Sequence, residues 1–148
     1  SGALVFVIDF LKGLVTVLLC YMFNQSSLVI LICSLLCVAG HNWPVFMGFR
    51  GGKGVSASAG ILVMVDYKLA LLAILIGVIL ALLTRMVSVG SLTALTLSAV
   101  FFIVFKVDIC YIILACILCV LSIYQHRKNI VRIINGNENK LTFGKKNK

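Results

Sequence analysis

Leu4-Val-Phe-Val-Ile-Asp-Phe-Leu-Lys-Gly-Leu-Val-Thr-Val-Leu-Leu-Cys-Tyr-Met22 is an apolar run interrupted by two charges, Asp9 and Lys12. A membrane-spanning helix needs ~20 predominantly apolar residues, and this run is long enough to be one. Leu69–Leu83 with its flanks, Val87–Phe105 and Ile109–Tyr124 read the same way. Leu28–Ala39 and Val55–Val65 are equally apolar but short, so each either crosses a thinned region or is re-entrant. Polar turns separate the runs at Asn24–Ser27, Asp66–Lys68, Thr84–Met86 and Lys106–Asp108.

The composition agrees. The 148 residues are 62% hydrophobic and 11% charged, with mean hydropathy +1.19, whereas soluble domains carry roughly 25% charged residues. The fold class is therefore all-α, a polytopic transmembrane helical bundle of about six spans. Residues 1–124 form the transmembrane domain, with a glycine-rich loop at 40–54, and 125–148 form a basic C-terminal segment. The first run has no basic leader and no cleavage pattern, which excludes a signal peptide. Cys20, Cys33, Cys37, Cys110, Cys116 and Cys119 all lie in apolar runs and read as packed thiols, and the lone C-x-x-C at Cys116–Cys119 is a weak motif. The two histidines and four scattered acids make no metal site.

The formal charge is +9. With about six crossings, Ser1, the glycine loop, Arg85 and the C-terminus share one face, which collects Arg50, Lys53, Arg85, Arg127, Lys128, Arg132 and the lysine tail. The other face holds Asn24, Asp66, Lys68, Lys106 and Asp108. Basic residues concentrate on the cytoplasmic side of membrane proteins, so the first face is cytoplasmic. If both short segments are re-entrant the termini still share a side, but the loop can change sides. The basic residues are split among loops, which disfavours nucleic acid and favours anionic lipid as the partner. Within the first run, Asp9 and Lys12 fall on one helix face, where they can pair, and such charges usually face the bundle interior or a site.

The polar island Gly40-His-Asn-Trp-Pro-Val-Phe-Met-Gly-Phe-Arg-Gly-Gly-Lys-Gly54 stands out against this background. Glycines let backbone approach a ligand closely, and successive exposed N–H groups make an anion-binding concavity. Arg50 and Lys53 add two cations, and a helix starting near Lys53 aims its positive dipole end at the same place. Two further polar groups reach the same face: Arg85-x-x-Ser88, and His126-x-x-Asn129 with Arg132. If the last span continues as helix, His126 and Asn129 share a side. Amide N–H groups, cations, a hydroxyl, an imidazole and an amide suit phosphate binding with acyl or phosphoryl transfer. Packing glycines, headgroup-anchoring cations and an interfacial His41 are the structural alternatives.

Familiar motifs are excluded. Walker A is one residue short, and Gly54 replaces its hydroxyl. Phe46 stands where an H-x4-D acyltransferase would need its carboxylate. No G-x-S-x-G elbow occurs. A small transporter or channel for an anionic solute is the alternative function, since short broken helices suit it, and a non-catalytic membrane subunit is a third.

Gly40–Phe46 running into Phe49–Val55 resembles the second motif of the PlsY family of bacterial acyl-phosphate:glycerol-3-phosphate acyltransferases. His126-Arg127-x-Asn129-Ile130-x-Arg132 with Asn135–Lys140 resembles the third. Asp9–Gly13 and Arg85-x-x-Ser88 match family-like positions in the same order. The resemblance implies a multi-pass protein of the bacterial inner membrane, seven-span in the family, with its active site facing the cytoplasm. It implies transfer of a fatty acyl group from acyl phosphate to the 1-hydroxyl of glycerol-3-phosphate, without metal or cofactor, and a monomer is the expected state of the chain. Lys53 would hold phosphate with Ser88, His126 and Asn129, and Gly51, Gly52 and Gly54 would cradle it. His126, Lys53 and Asn129 are the catalytic candidates, with His126 a general base by residue type. His41, Arg50, Glu138 and Lys12 are supporting candidates. The family's first motif, an S-G-N-x-G-like stretch, has no counterpart, since Ala3-Leu4-Val5 follows Ser1-Gly2. The expectation is a truncated or degenerate copy, with the activity of this chain by itself left open.

Overall fold

The computed structural model describes residues 2–43 and 53–142. Every regular element among them is helical: α1 (Gly2–Met22), α2 (Ser27–Asn42), α3 (Val55–Val65), α4 (Tyr67–Thr84), α5 (Val87–Val104), α6 (Ile109–Gln125) and α7 (Arg127–Ile134). The six apolar runs thus appear as α1–α6 in order. Ala3–Met22, Tyr67–Thr84 and Val87–Val104 are long and apolar enough to cross a membrane, and α6 joins them if it is taken with α7 as one bent span. α3 has 11 residues and covers roughly 16 Å, about half a hydrocarbon core.

The polar turns work as helix punctuation. Asp66 caps α4 by accepting from the Leu69 N–H at 3.1 Å, and Asp108 caps α6 by accepting from the Cys110 N–H at 2.8 Å. Arg85 closes α4 in the left-handed region, φ 58°.

Two boundaries differ from expectation, each for a local reason. α2 runs on through Gly40 and His41 to Asn42, because nothing in the sequence opposes a helix until Pro44. Trp43, disfavoured from helical geometry by the following proline, ends it at φ −128°, ψ 66°. His41 and Asn42 therefore ride on a rigid helix end. The last span does not continue either: α7 leaves α6 at 62°. At the bend the Ser122 carbonyl accepts the His126 backbone N–H and also contacts the His126 ring at 2.9 Å, and the Tyr124 carbonyl accepts from Arg127 Nη1 at 2.8 Å.

Small residues set the helix spacing. A Cβ on Gly13 would strike the Ala57 carbonyl, and one on Gly60 would strike the Phe10 carbonyl, so α1 and α3 pack backbone to backbone. Gly77 and Gly90 do the same between α4 and α5. Phe102, Ile30, Ile61, Leu114 and Leu118 fill the core, while Leu36, Leu75, Leu83 and Val120 form part of an exposed apolar surface suited to lipid.

Candidate active site

One end of the bundle gathers the polar side chains. Lys53 precedes α3, Ser88 lies in the first turn of α5, Asn129 on α7, and Glu138 on the segment that returns after α7. Lys53 Nζ donates to Asn129 Oδ1 at 2.8 Å. The Asn129 amide nitrogen donates to Ser88 Oγ at 2.8 Å and to Glu138 Oε1 at 2.6 Å. Ser88 also donates to Glu138 Oε1 at 2.5 Å, and Arg132 Nε donates to Oε2 at 2.9 Å. This fixes the Asn129 amide with its oxygen toward Lys53 and its nitrogen toward Glu138. The return segment is tied down by the Leu141 N–H, which donates to the Arg85 carbonyl at 2.7 Å.

The electrostatics follow from these bonds. Hydrogen bonds from Ser88, Asn129 and Arg132 hold the Glu138 carboxyl at about 2, so it is a fixed anion. Burial pushes Lys53 down, the Glu138 charge opposes that, and Arg132 adds to it.

His126, 2% exposed, forms the joint between α6 and α7. Its Nδ1 lies 2.9 Å from the Ser122 carbonyl. A carbonyl only accepts, so Nδ1 carries the hydrogen, and in the neutral ring Nε2 is left as the acceptor. Burial pushes the His126 pKa down, the Ser122 carbonyl opposes this, Lys53 adds to the lowering and Glu138 opposes it. His126 is thus biased toward the neutral, proton-accepting form.

Of these groups, Lys53, Ser88 and His126 wall a cavity of about 300 Å³. Its polar lining includes Lys53, Ser56, Ser88 and His126 together with Asp9 and His41. Both histidines of the chain therefore face one cavity. His41 Nδ1 is 3.3 Å from Asp9 Oδ1, so Asp9 pairs with His41 rather than with Lys12. Lys12 is exposed and is not among the lining residues. At the helix start, Gly54 takes φ 70° as the N-cap of α3, and a Cβ there would lie 2.5 Å from Asn42 Oδ1. Arg50, Gly51 and Gly52 lie outside the described residues.

A second, apolar cleft of about 180 Å³ adjoins this cavity, sharing Phe6, Val55, Val87 and Ser91 with it. It runs between α3, α4 and α5 past Leu62, Ile74 and Gly77. The site thus joins a cationic, hydroxyl-bearing chamber to an apolar slot, a shape for an amphiphile with a phosphate head.

Sequence reasoning placed Lys53, Ser88, His126 and Asn129 together, and the structure brings them together. It missed Ser56 and Ser91 as lining residues, whose types carry no signal by themselves. It also missed the Asp9–His41 contact, for which the lone carboxylate in an apolar run was the available clue.

The profile of the glycerol-3-phosphate acyltransferase family matches residues 1–136. The chain belongs to this family. The match takes in Lys53, Ser88, His126 and Asn129. The glycerol-3-phosphate acyltransferase of Thermoanaerobacter sp. (strain X514) is 40% identical over 142 residues, covering 95% of this chain and 71% of that protein. That of Finegoldia magna is 39% identical over 145 residues, with the same coverage. Crystal structures of PlsY, described as an integral membrane glycerol 3-phosphate acyltransferase, in its glycerol 3-phosphate and lysophosphatidic acid forms, superpose with TM-score 0.89 at 36% identity. They match over 95% of this chain and 71% and 72% of the PlsY chains. An acyltransferase of this family accounts for both the polar chamber and the apolar slot.

Proposed function

We propose that the protein transfers a fatty acyl group from acyl phosphate to the 1-hydroxyl of glycerol-3-phosphate, releasing lysophosphatidic acid and inorganic phosphate. The observation that carries this reading is the Lys53–Asn129–Ser88–Glu138 network, which holds Lys53 and Ser88 on the wall of a chamber that adjoins an apolar slot. Lys53 and the N–H groups at the start of α3 neutralise phosphate. The acyl chain occupies the slot between α3, α4 and α5, reached from the bilayer.

His126 Nε2 accepts the proton of the acceptor hydroxyl as its oxygen attacks the acyl carbonyl. The carbonyl oxygen gains charge near Lys53. Collapse breaks the bond between the acyl carbon and the phosphate oxygen, and the proton passes from His126 to the departing phosphate. Holding both substrates in one chamber supplies much of the rate through orientation. Asp9 and His41 line the part of the chamber that presents a carboxylate, which accepts from hydroxyl groups and repels phosphate, so we assign them to the glycerol end of the acceptor. Arg50, Gly51 and Gly52 extend the phosphate cradle in this reading. The site end of the bundle faces the cytoplasm of a bacterial inner membrane by the charge bias of its loops, and the chain works as a monomer.

The test is phosphate release in proteoliposomes. Release that needs both acyl phosphate and glycerol-3-phosphate supports the reading. Release without the acceptor, or none in a version extended to the relatives' full length, contradicts it.

A further inference from the structure

Helix α7 has two sides with different environments. Its inner side carries Asn129 and Arg132, both engaged in the Glu138 network. Its outer side carries Arg127, Val131 and Ile134, spaced as i, i+4 and i+7. Val131 is 56% and Ile134 77% exposed, and Arg127 and Lys128 are exposed beside them. An eight-residue helix is too short to span, and the 62° bend turns it away from the axis of α6. A short basic helix with an exposed apolar edge is the signature of a helix lying in the plane of a membrane surface.

Two further observations specify the surface. Tyr124, 54% exposed, stands at the end of α6, and the Arg127 guanidinium lies 4.3 Å from its ring centroid while Nη1 bonds the Tyr124 carbonyl. Tyrosine and arginine at a span end mark the headgroup level. The charge is also one-sided. Beyond Asp108 the only acid is Glu138, whose carboxylate is taken by Ser88, Asn129 and Arg132. Arg127 and Lys128 therefore face outward with no described acid to neutralise them.

We propose that α7 lies in the headgroup layer, with Val131 and Ile134 inserted at the headgroup–acyl boundary and Arg127 and Lys128 engaging anionic phospholipid headgroups. Because the opposite side of the same helix carries Asn129 and Arg132, the anionic lipid content of the leaflet sets the position of these two residues. This last consequence rests on the acyltransferase reading, whereas the placement of α7 does not. Each cation near an anionic leaflet strengthens association by roughly fivefold.

The test uses Ile134→Trp in a Trp43→Phe background, with the full chain in nanodiscs of phosphatidylcholine alone or with phosphatidylglycerol added. The expected result is blue-shifted emission quenched by lipids brominated near the top of the acyl chain, increasing several-fold with phosphatidylglycerol. Arg127→Gln with Lys128→Gln should abolish that increase and flatten the dependence of phosphate release on phosphatidylglycerol. Water-like, unquenched emission in both lipids overturns the placement. Quenching that ignores phosphatidylglycerol, or an increase that survives the double substitution, overturns the anionic-lipid assignment. Absence of phosphate release in every lipid counts against the acyltransferase reading, and the quenching still decides this one.

Discussion

Lys53 and Asn129, 76 residues apart, meet at 2.8 Å between Nζ and Oδ1, and this contact joins the start of α3 to the inner side of α7. It places the described cation of the glycine motif beside the amide of the C-terminal motif. Removing either partner should therefore damage the same step. Lys53→Ala and Asn129→Ala are each expected to lower kcat/KM about 10²- to 10³-fold, the scale of losing one charge-stabilising donor. The double variant should lose little more than either single one. Steady-state phosphate release for the four proteins checks this, and additive losses would separate the two residues.

Glu138 accepts three hydrogen bonds, from Ser88 and Asn129, which converge on Oε1, and from Arg132 at Oε2. Glu138→Gln puts a donor amide against these donors, so the protein should melt at a lower temperature as well as lose activity. The wild-type network has a definite acid limit. A carboxyl held at about 2 in the folded state, below its ordinary value, contributes stability that is full above the ordinary range. That contribution is lost as the pH falls from there toward about 2. Thermal melts across this range in detergent should show the loss in wild type, and Glu138→Gln should show a flatter profile.

His126 predicts an acid limb in the rate. Burial and the Lys53 charge lower its pKa, so the proton-accepting form persists below the ordinary histidine value. In the free enzyme, kcat/KM should hold through the ordinary histidine value and fall only at lower pH, as the ring protonates. His126→Gln should lower the plateau and remove the limb, whereas Lys53→Gln should move the limb upward by deleting a neighbouring positive charge. A pH–rate profile with an unmoved limb in both variants would assign it elsewhere.

Asp9 and Lys12, one turn apart, should respond differently. Asp9 meets His41 across the cavity, and Lys12 is exposed. Asp9→Asn is expected to lower kcat/KM about tenfold or more by misplacing His41, and Lys12→Gln to leave it within about twofold. Measurement of both against glycerol-3-phosphate concentration distinguishes a KM effect from a kcat effect.

The backbone contact between α1 and α3 is a packing prediction. Gly13→Ala places a Cβ against the Ala57 carbonyl, and backbone cannot move aside as a side chain can. The cost is about 1–3 kcal/mol, the usual scale of overpacking. Because α1 carries Asp9 and α3 begins beside Lys53, activity should fall along with the melting temperature. Gly40→Ala, where a Cβ meets nothing, is the matched control.

Much of this was legible in the sequence because the bilayer imposes length and composition on each element. The six apolar runs and their polar turns became α1–α6 and their caps. The association of Lys53, Ser88, His126 and Asn129 was legible because alternate crossings return these positions to one end. Register between helices was not. Whether Asp9 meets Lys12 or His41 depends on how Gly13 and Gly60 seat α1 against α3, and on how far α2 extends before Pro44. The bend at His126 was also hidden, since no proline or glycine marks it and the side chains that bond its carbonyls, His126 and Arg127, carry no signal of a bend by type. The role of Glu138 as a shared acceptor depends on the return of the chain after α7, which no periodicity announces.

The most direct measurement is phosphate release from acyl phosphate in proteoliposomes, by the chain and by a version extended to its relatives' full length, with and without glycerol-3-phosphate. The account predicts release that requires both substrates, accompanied by lysophosphatidic acid in equal amount, and falling at least a hundredfold in Lys53→Ala. Acceptor-dependent release that survives Lys53→Ala unchanged would contradict it.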